Sequence, residues 1–211
     1  MKKPVKTREK HRNTPSQPRS RRMVEFIIEA ATRVLRSQGI AGFTTNRIAE
    51  VAGVSIGSLY QYFRDKDAIL EVIVARHLDE IRSVAQSGTG DTPSLALMDE
   101  LIDGAVAAHA RDPALHRAIS NIPDDPARYH RISQAKQQLD ADVKTALQQL
   151  LERLAPQADA ARLHAATLIL HSLVENAVHR AVAEEQGVYD IALLSVELKR
   201  AVRLYVENLA V

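Results

Sequence analysis

Two short helical patterns stand only three residues apart between Phe43 and Leu70, and few folds accommodate so close a pair. Thr44 is placed to cap the first helix, whose apolar side chains recur at three- and four-residue spacing until Gly53 ends it. Ser55 is placed to cap a second helix over residues 56–63. A turn this tight predicts the crossed helices of a helix-turn-helix.

The second helix has a small and polar outer face, which suits the groove of duplex DNA. Val54, Leu59 and Phe63 are its apolar residues and are expected to face its neighbours. Gly57 and Ser58 have little bulk, so the start of the helix can approach base edges while hydroxyls and free amides hold phosphates. The alternative is that the aromatic residues here all belong to a small core. Three aromatics within four helical residues cannot all face inward, so at least one tyrosine should be exposed.

This segment closely resembles the DNA-binding segment of the TetR family of transcriptional repressors, over roughly residues 22–70. The matching positions are Thr44-Thr45, Ile48-Ala49, Ala52-Gly53-Val54-Ser55, Gly57, Leu59-Tyr60, Tyr62-Phe63, Lys66 and Leu70. The resemblance implies phosphate contacts from Thr45, Ser55, Tyr60, Tyr62 and Lys66. It implies base contacts from Ile56, Gly57, Ser58 and Gln61. Ile56 differs from the polar residues often found at its position, so its contact is expected to be apolar, to a thymine methyl.

Positive charge is concentrated at the beginning of this 211-residue chain. Residues 1–22 contain nine Lys or Arg and one acid, a net charge of +8, so the remainder carries −6 of the total of +2. Residues 1–20, which include Pro4, Pro15 and Pro18, are predicted to form a disordered basic arm. Such an arm could follow the phosphates or enter a minor groove, or it could be a solvated tail. An organellar transit peptide is disfavoured, because the prolines would spoil an amphipathic helix.

The composition excludes several classes of protein. The chain has no cysteine, which excludes disulfides and thiolate metal sites. No apolar run approaches the ~20 residues of a membrane span, and the beginning of the chain lacks the apolar core of a signal peptide. A cytoplasmic location without a membrane partner is therefore expected.

The rest of the chain is also predicted to be helical. Thr92, Asp112 and Asp125 each precede a proline, which predicts a helix with a capping side chain and proline at its first position. The fold class is thus predicted as all-α, with a three-helix helix-turn-helix DNA-binding domain over residues 21–66. A larger helical domain for effector binding and dimerisation should follow over residues 67–211. The further helices are predicted near residues 21–38, 66–86, 93–110, 113–120, 126–154, 158–184 and 189–209.

The last two predicted helices carry more apolar side chains than packing against one neighbouring helix face could bury. One stripe comprises Leu163, Ala166, Leu170, Leu173, Val174, Ala177, Val178 and Ala181, and another Ile191, Leu194, Leu198, Ala201, Val202, Tyr205 and Leu209. Further apolar residues lie off both stripes: Leu168, Ile169, Val182, Leu193, Val196 and Leu204. Pairing with a second copy would cover them in a four-helix interface, as the family resemblance also implies. Burial inside the monomer is the alternative.

An effector is expected among the helices between Lys66 and Pro156, where the side chains are mainly aliphatic. The helix that begins at Lys66 runs from the DNA-binding domain into the effector-binding domain. It is therefore predicted to transmit effector binding to the DNA-binding domain. The polar residues that could contact an effector are His109, Asn121, Tyr129, His171 and Glu175. A polar stripe of His164, His171, Glu175 and His179 could also hold a divalent metal, but a solvated edge or hydrogen bonds across the dimer are preferred. His116 and His130 lie in the same part of the chain as His109 and fit a surface loop equally well.

These features predict a ligand-responsive transcriptional regulator. It should act as a repressor that binds a palindromic operator in double-stranded DNA as a homodimer, and a small-molecule effector should release it. One alternative is a DNA-binding regulator without a ligand. Another is a histidine-dependent enzyme, but the sequence has no nucleophile elbow, metal-helix motif or nucleotide fingerprint. No catalytic residue, metal site or cofactor is predicted.

Overall fold

The computed structural model describes residues 18–87, 92–184 and 188–209, and these residues form only helices. The helices are α1 (Pro18–Gly42), α2 (Thr45–Ala52), α3 (Ile56–Tyr62), α4 (Lys66–Ser87), α5 (Leu95–Ala110), α6 (Pro113–Ser120), α7 (Pro126–Leu154), α8 (Ala160–Ala183) and α9 (Ile191–Leu209). The predicted all-α class is confirmed. The chain divides into two compact units, with the boundary between Ile69 and Leu70. None of the helices described is long and apolar enough to cross a membrane.

The first unit packs α1 on α2 and α2 on α3 around a small apolar core. Phe43 is fully buried, and Phe63 is only 8% exposed, so the prediction that Phe63 faces its neighbours is confirmed. Ile48 from α2 and Leu59 from α3 are also fully buried. The core is completed by α1 residues at helical spacing, namely Ile27, Ala30, Ala31, Val34 and Leu35.

Local capping chemistry fixes the turn between α2 and α3. The Thr44 hydroxyl accepts a hydrogen bond from the backbone N–H of Arg47 (3.2 Å), as predicted for an N-cap. Gly53 adopts the left-handed conformation (φ 66°) and ends α2, which a side chain would disfavour. The Ser55 hydroxyl then accepts from the N–H of Ser58 (3.0 Å) and caps α3. The predicted helix-turn-helix is therefore present in detail.

The first helix differs from its predicted bounds of 21–38. It begins at Pro18, inside the predicted arm, whose first seventeen residues lie outside those described. Gly39 leaves helical geometry (φ 61°), as expected for a stop, but one more turn carries α1 on to Gly42.

In the second unit α8 is the central helix, since it packs against α5, α6, α7 and α9. Two ion pairs join α5 to α9. Lys199 donates to both carboxylate oxygens of Asp103 (2.8 Å each), and Arg203 forms a forked pair with Asp99. The buried apolar core of the second unit includes Leu151, Ala166, Leu170 and Val202.

Two of the three predicted caps before proline are confirmed. Asp112 and Asp125 accept hydrogen bonds from the first turns of α6 and α7. The prediction for Thr92 is wrong, because Ser94 caps α5 and the helix begins two residues later than proline would place it. Ser94 offers the same hydroxyl acceptor, and it stands immediately before the apolar run. The sequence Ser87-Gly88-Thr89-Gly90-Asp91, between α4 and α5, predicts a turn, and all of it except Ser87 lies outside the described residues.

The predicted stripes of α8 and α9 need three corrections. On α9, Ala201 is a predicted stripe residue but is exposed. The other two corrections concern α8. Val182 was placed off the α8 stripe but is buried (4% exposed), and Leu173 was placed on it but is 39% exposed. Both deviate because α8 is surrounded by four helices, so its buried face is wider and differently centred than a single stripe. The remaining off-stripe residues are exposed: Leu168, Ile169, Leu193, Val196 and Leu204.

Candidate DNA-binding face and effector cavities

The beginning of α3 is exposed in the first unit, as the sequence predicts for a helix that enters a DNA groove. Ile56 is 39% exposed and Tyr60 is 45% exposed, while Gly57 and Gln61 are also exposed and Ser58 is half-buried. We call these five residues the α3 outer face. A Cβ atom added at Gly57 would meet only the Ser55 hydroxyl, at 3.8 Å. The protein therefore leaves open space at this position.

Hydroxyl groups flank the α3 outer face and hold one another in place. The Tyr60 hydroxyl lies 3.3 Å from the hydroxyl of Thr45, which links the predicted phosphate contacts of α3 and α2. The Ser55 hydroxyl lies 2.9 Å from that of Ser58. These groups are solvent-exposed donors and acceptors, so a phosphate oxygen can replace either partner at little cost.

Lys66 and Tyr62 have different surroundings from the other predicted phosphate ligands. The Lys66 ammonium group donates to the carbonyl of Phe43 (2.9 Å) and is half-buried, so it ties the start of α4 to the end of α1. It still has two N–H donors that this bond does not use. Tyr62 is half-buried at the end of α3. The prediction that at least one tyrosine of α3 is exposed is confirmed by Tyr60.

The second unit contains an apolar cavity of about 140 Å³. Its walls are aliphatic side chains from α4, α5, α7, α8 and α9, including Ala85, Ala105, Ala146 and Leu170. Three of the predicted effector contacts lie in the wall, namely His109, His171 and Glu175. Asn121 caps the end of α6 and Tyr129 is buried at a kink in α7, and neither lines this cavity.

A neighbouring polar cavity is lined by a chain of imidazoles. His77 Nε2 lies 3.1 Å from His116 Nδ1, and His116 Nε2 lies 2.9 Å from His179 Nδ1. His179 Nε2 then lies 2.7 Å from the carboxylate of Glu175. His109 packs edge-on against His116 and His179, and its Nδ1 lies 2.7 Å from the carbonyl of Ala105.

Burial controls the protonation of these groups. Burial, with the neighbouring imidazoles as the second cause, lowers the pKa of His116 to about 3. Burial also lowers the pKa of His77 and of His109. Partial burial alone would raise the pKa of Glu175, but the hydrogen bond from His179 and the nearby imidazoles lower it to about 2. The buried histidines are therefore neutral at pH 7, and Glu175 is ionised.

The sequence identified some of these residues but not their assembly. Glu175 and His179 are one turn apart on α8, so their contact follows from helical spacing. His116 comes from α6 and His77 from α4, and only tertiary packing brings them to α8. His77 was missed, although it lies four residues from both Ile73 and Ile81 in the apolar stripe of α4. His164 and His130 are exposed and outside the chain of imidazoles.

Both units match known protein families. Residues 27–73 match the model of bacterial regulatory proteins of the tetR family. Residues 95–205, more than half of the chain, match the tetracyclin repressor-like C-terminal domain. The two matches cover the helix-turn-helix and most of the unit that contains both cavities.

Sequence matches to individual proteins cover about a third of the chain, whereas structural similarity extends over most of it. The HTH-type transcriptional repressor KstR2 of Mycolicibacterium smegmatis is 36% identical over 67 residues, 32% of each chain. The matches span only about a third of the length of such curated relatives. The fatty acid degradation regulator FadR of Bacillus halodurans superposes with a TM-score of 0.68 at 17% identity, over 85% of this chain and 94% of that one. A transcriptional regulator from Rhodococcus gives 0.68 at 16% identity, over 89% and 98%.

Proposed function

The chain belongs to the TetR family of bacterial transcriptional regulators, and we propose that it is a dimeric repressor whose operator complex is released by a small molecule. DNA binding is a property of the family. The dimer, the palindromic operator and the effector are proposals for this chain. Regulators of this family are not enzymes. We therefore interpret the histidines as groups that bind a ligand or transmit its binding, and not as catalytic residues.

The observation that carries the proposal is the open space at Gly57 on the α3 outer face. A helix can read base edges only if its own side chains let it enter the major groove. Ile56, Ser58 and Gln61 surround this opening and are the proposed base contacts, with Ile56 against a thymine methyl. Thr45, Ser55, Tyr60, Tyr62 and Lys66 are the proposed phosphate contacts.

Selection of bound duplexes from a random pool tests the proposal directly. A dimer places two recognition helices about 34–36 Å apart, so the selected sites should be palindromes with half-sites one helical turn apart or a multiple of it. The selection is repeated with cell metabolites added, and loss of the palindrome identifies release by an effector. A pool without any enriched site would contradict sequence-specific regulation.

Replacing Tyr60 with alanine should weaken binding to all duplexes alike. Its hydroxyl is a proposed phosphate contact, and a hydrogen bond of this kind contributes about 0.5–1.5 kcal/mol, up to about tenfold in affinity for each protomer. Tyr60→Phe should reproduce most of the loss, since it removes only the hydroxyl group. Fluorescence anisotropy with the selected operator and with a scrambled duplex measures both affinities.

Tyr189→Ala is the matched control for Tyr60, because Tyr189 is a similarly exposed tyrosine (48%) in the second unit. It should leave both affinities unchanged. A Tyr60 variant that loses affinity only for the operator would contradict the phosphate role and indicate base recognition.

Exposed apolar side chains support a dimer through α8 and α9. Leu168 on α8 is 58% exposed, and Leu193 and Leu204 on α9 are 57% and 55% exposed. Clusters of this kind on a soluble protein mark interaction surfaces, and a second copy offers the same apolar chemistry. We propose that these residues, with Ile169 and Val196, form the centre of a four-helix interface.

The apolar cavity supports a small aliphatic effector. Its lining is mainly alkyl, and its polar residues are His109, Gln149, Arg153, His171 and Glu175. Its volume of about 140 Å³ lies below the range of about 300–1,000 Å³ for larger ligands, so a short chain fits best. Because α4 runs from Lys66 through the boundary of the two units into the cavity wall, we propose that it transmits binding to the DNA-binding unit.

Filling the cavity should create a repressor that ignores its effector. Ala146 lies in the cavity wall on α7, so Ala146→Phe should occupy the space and add about 1–3 kcal/mol of crowding to a bound ligand. The effector concentration for half-release should rise about 5- to 150-fold, while operator affinity without effector is unchanged. Anisotropy with a panel of short aliphatic acids, alcohols and amides measures release.

Ala141→Phe is the matched control, because Ala141 lies on α7 but is exposed. It should respond to the panel like the unmodified protein. If no member of the panel, nor a metabolite extract, releases the operator or raises the melting temperature, a DNA-binding regulator without a ligand becomes the better description.

A further inference from the structure

We propose that His109, His116 and His179 form a site for a divalent transition metal ion, with Zn²⁺ as the best match. One ring nitrogen from each lies within 4.8 Å of those of the other two. Imidazole is a preferred ligand of Zn²⁺, Ni²⁺ and Cu²⁺, and three imidazoles with an open fourth position are a known zinc arrangement. The three residues belong to α5, α6 and α8, so a bound ion would cross-link three helices of the second unit.

The outer ring nitrogens of these histidines are held as a metal site requires. A histidine that binds a metal through one nitrogen normally donates its other N–H to a fixed acceptor. His109 Nδ1 has the carbonyl of Ala105 at 2.7 Å, and His179 Nε2 has the carboxylate of Glu175 at 2.7 Å. His116 Nδ1 has His77 Nε2 at 3.1 Å. The three remaining nitrogens, His109 Nε2, His116 Nε2 and His179 Nδ1, are thereby assigned as the metal ligands.

A second feature indicates a cation next to His109. Since its Nδ1 donates to the carbonyl of Ala105, neutral His109 has only a lone pair at Nε2. This atom lies 4.0 Å from Glu175 Oε2, which is also only an acceptor when ionised. The lone pair of His109 Nε2 is therefore available to an ion, and the Glu175 carboxylate group lies close to the same position.

Metal binding requires no loss of protons from the imidazole chain. Without metal, Glu175 accepts from His179, so His116 must donate from Nε2 to His179 Nδ1, and His77 must donate to His116 Nδ1. On binding, His116 moves its proton to Nδ1 and donates to His77 Nε2, and His77 moves its proton to its own Nδ1. Each ring keeps one proton, and both His116 Nε2 and His179 Nδ1 become free to bind the ion.

Metal binding requires two of the ligand nitrogens to separate slightly and the third to approach them. Zn–N bonds of about 2.0–2.1 Å in a tetrahedral site place the nitrogens roughly 3.3 Å apart. His116 Nε2 and His179 Nδ1 are already 2.9 Å apart, so the adjustment falls mainly on His109. His179 is the most accessible of the three, with 35% of its side chain exposed, and it offers an entry path from the polar cavity.

The metal site would deepen the proposed regulation, and that part of the inference rests on the proposed function. His109 and Glu175 also line the apolar cavity, while His116 and His179 line the polar one. A metal would therefore stand between the two cavities, with a fourth position that water or an oxygen atom of an effector could fill. Metal binding as such is independent of DNA and can be measured alone.

Cobalt and zinc titrations of the full-length, tag-free protein test the site. After chelator treatment, Co²⁺ should give the visible absorption bands of a tetrahedral ion at one equivalent per chain, and Zn²⁺ should abolish them by competition. In ¹⁵N-labelled protein, Zn²⁺ should shift His109 Nε2, His116 Nε2 and His179 Nδ1. The nitrogens His109 Nδ1 and His179 Nε2 should remain protonated, and His116 Nδ1 should become protonated. If Co²⁺ gives no tetrahedral bands and no imidazole nitrogen shifts, the site does not exist.

Substitutions locate the site. His179→Gln and His109→Gln should each weaken Zn²⁺ binding at least about 100-fold, and His77→Phe, which removes only a partner of a ligand, about 10–100-fold. His164→Gln is the matched control on α8, since His164 is exposed, and it should bind like the unmodified protein. His179 is only partly buried, so its variant should fold, as circular dichroism can verify. Unchanged binding in His179→Gln would overturn the assignment even if the protein binds metal elsewhere.

A final comparison separates this inference from the proposed function. Operator affinity is measured with chelator and with one equivalent of Zn²⁺. A change of threefold or more that disappears in His179→Gln supports metal-dependent regulation. Tight Zn²⁺ binding with unchanged operator affinity would overturn the regulatory part and retain the site. Operator binding without any Zn²⁺ binding would overturn the site and leave the proposed repressor intact.

Discussion

Gly57→Leu is expected to reduce operator affinity at least about 30-fold while leaving the protein folded. The side chain would occupy the opening through which α3 approaches base edges, and loss of one base contact costs about 1–3 kcal/mol in each of the two half-sites. The protein itself should tolerate the change, because a Cβ at this position meets only one atom within 4 Å and Gly57 has no left-handed conformation. Helix propensity even favours leucine over glycine. Anisotropy measures the affinity, and thermal unfolding measures the stability.

Two further variants test whether the loss of affinity in Gly57→Leu comes from the bulk added at this position. Gly57→Ala adds one carbon and should give an intermediate loss, whereas Ser37→Leu adds similar bulk at an exposed position of α1 and should bind normally. Affinity for scrambled duplexes should fall less than affinity for the operator, because phosphate contacts do not depend on sequence. Normal operator binding by Gly57→Leu would show that the start of α3 does not enter the groove.

The DNA-binding unit could be predicted closely because its turns depend on local chemistry. Thr44 and Ser55 each cap the helix that follows them, and Gly53 takes the left-handed conformation between. Such hydrogen bonds involve residues within one turn, so the sequence pattern contains nearly all the information. The N-terminus of α5 shows the limit of the method. The pattern predicted Thr92 as the cap because a proline follows it, but Ser94, which carries the same hydroxyl chemistry, caps the helix.

The histidine chain could not be predicted in the same way. Its contacts join residues 39 and 63 positions apart, so they depend on how α4, α6 and α8 pack and not on spacing along one helix. The sequence identified His171, Glu175 and His179 as one stripe, but His171 faces Asp140 (3.5 Å) and is not a member of the chain. Burial of His77, His109 and His116 is unusual for a polar residue, and a histidine in an apolar stripe gives no sign of its partner.

A double substitution on the exposed leucines, Leu168→Glu with Leu204→Glu, is expected to dissociate the dimer. In a two-fold symmetric assembly each change occurs twice, so four carboxylates would enter the centre of the proposed interface. Loss of a central apolar side chain costs about 2 kcal/mol or more, and burial of unpaired charge adds to it. The dissociation constant should therefore rise at least about 1,000-fold. Sedimentation equilibrium measures the oligomeric state.

The same variant links assembly to DNA recognition. Both leucines are more than half exposed in the single chain, so the fold should persist, and circular dichroism should be unchanged. A monomer binds one half-site, so affinity for the full palindrome should fall to that for a half-site while Gly57 and its neighbours remain competent. Gln137→Glu adds a charge at an exposed position of α7 and should remain dimeric. A double variant that stays dimeric would place the interface elsewhere, and α8 and α9 would then need another partner for their apolar surface.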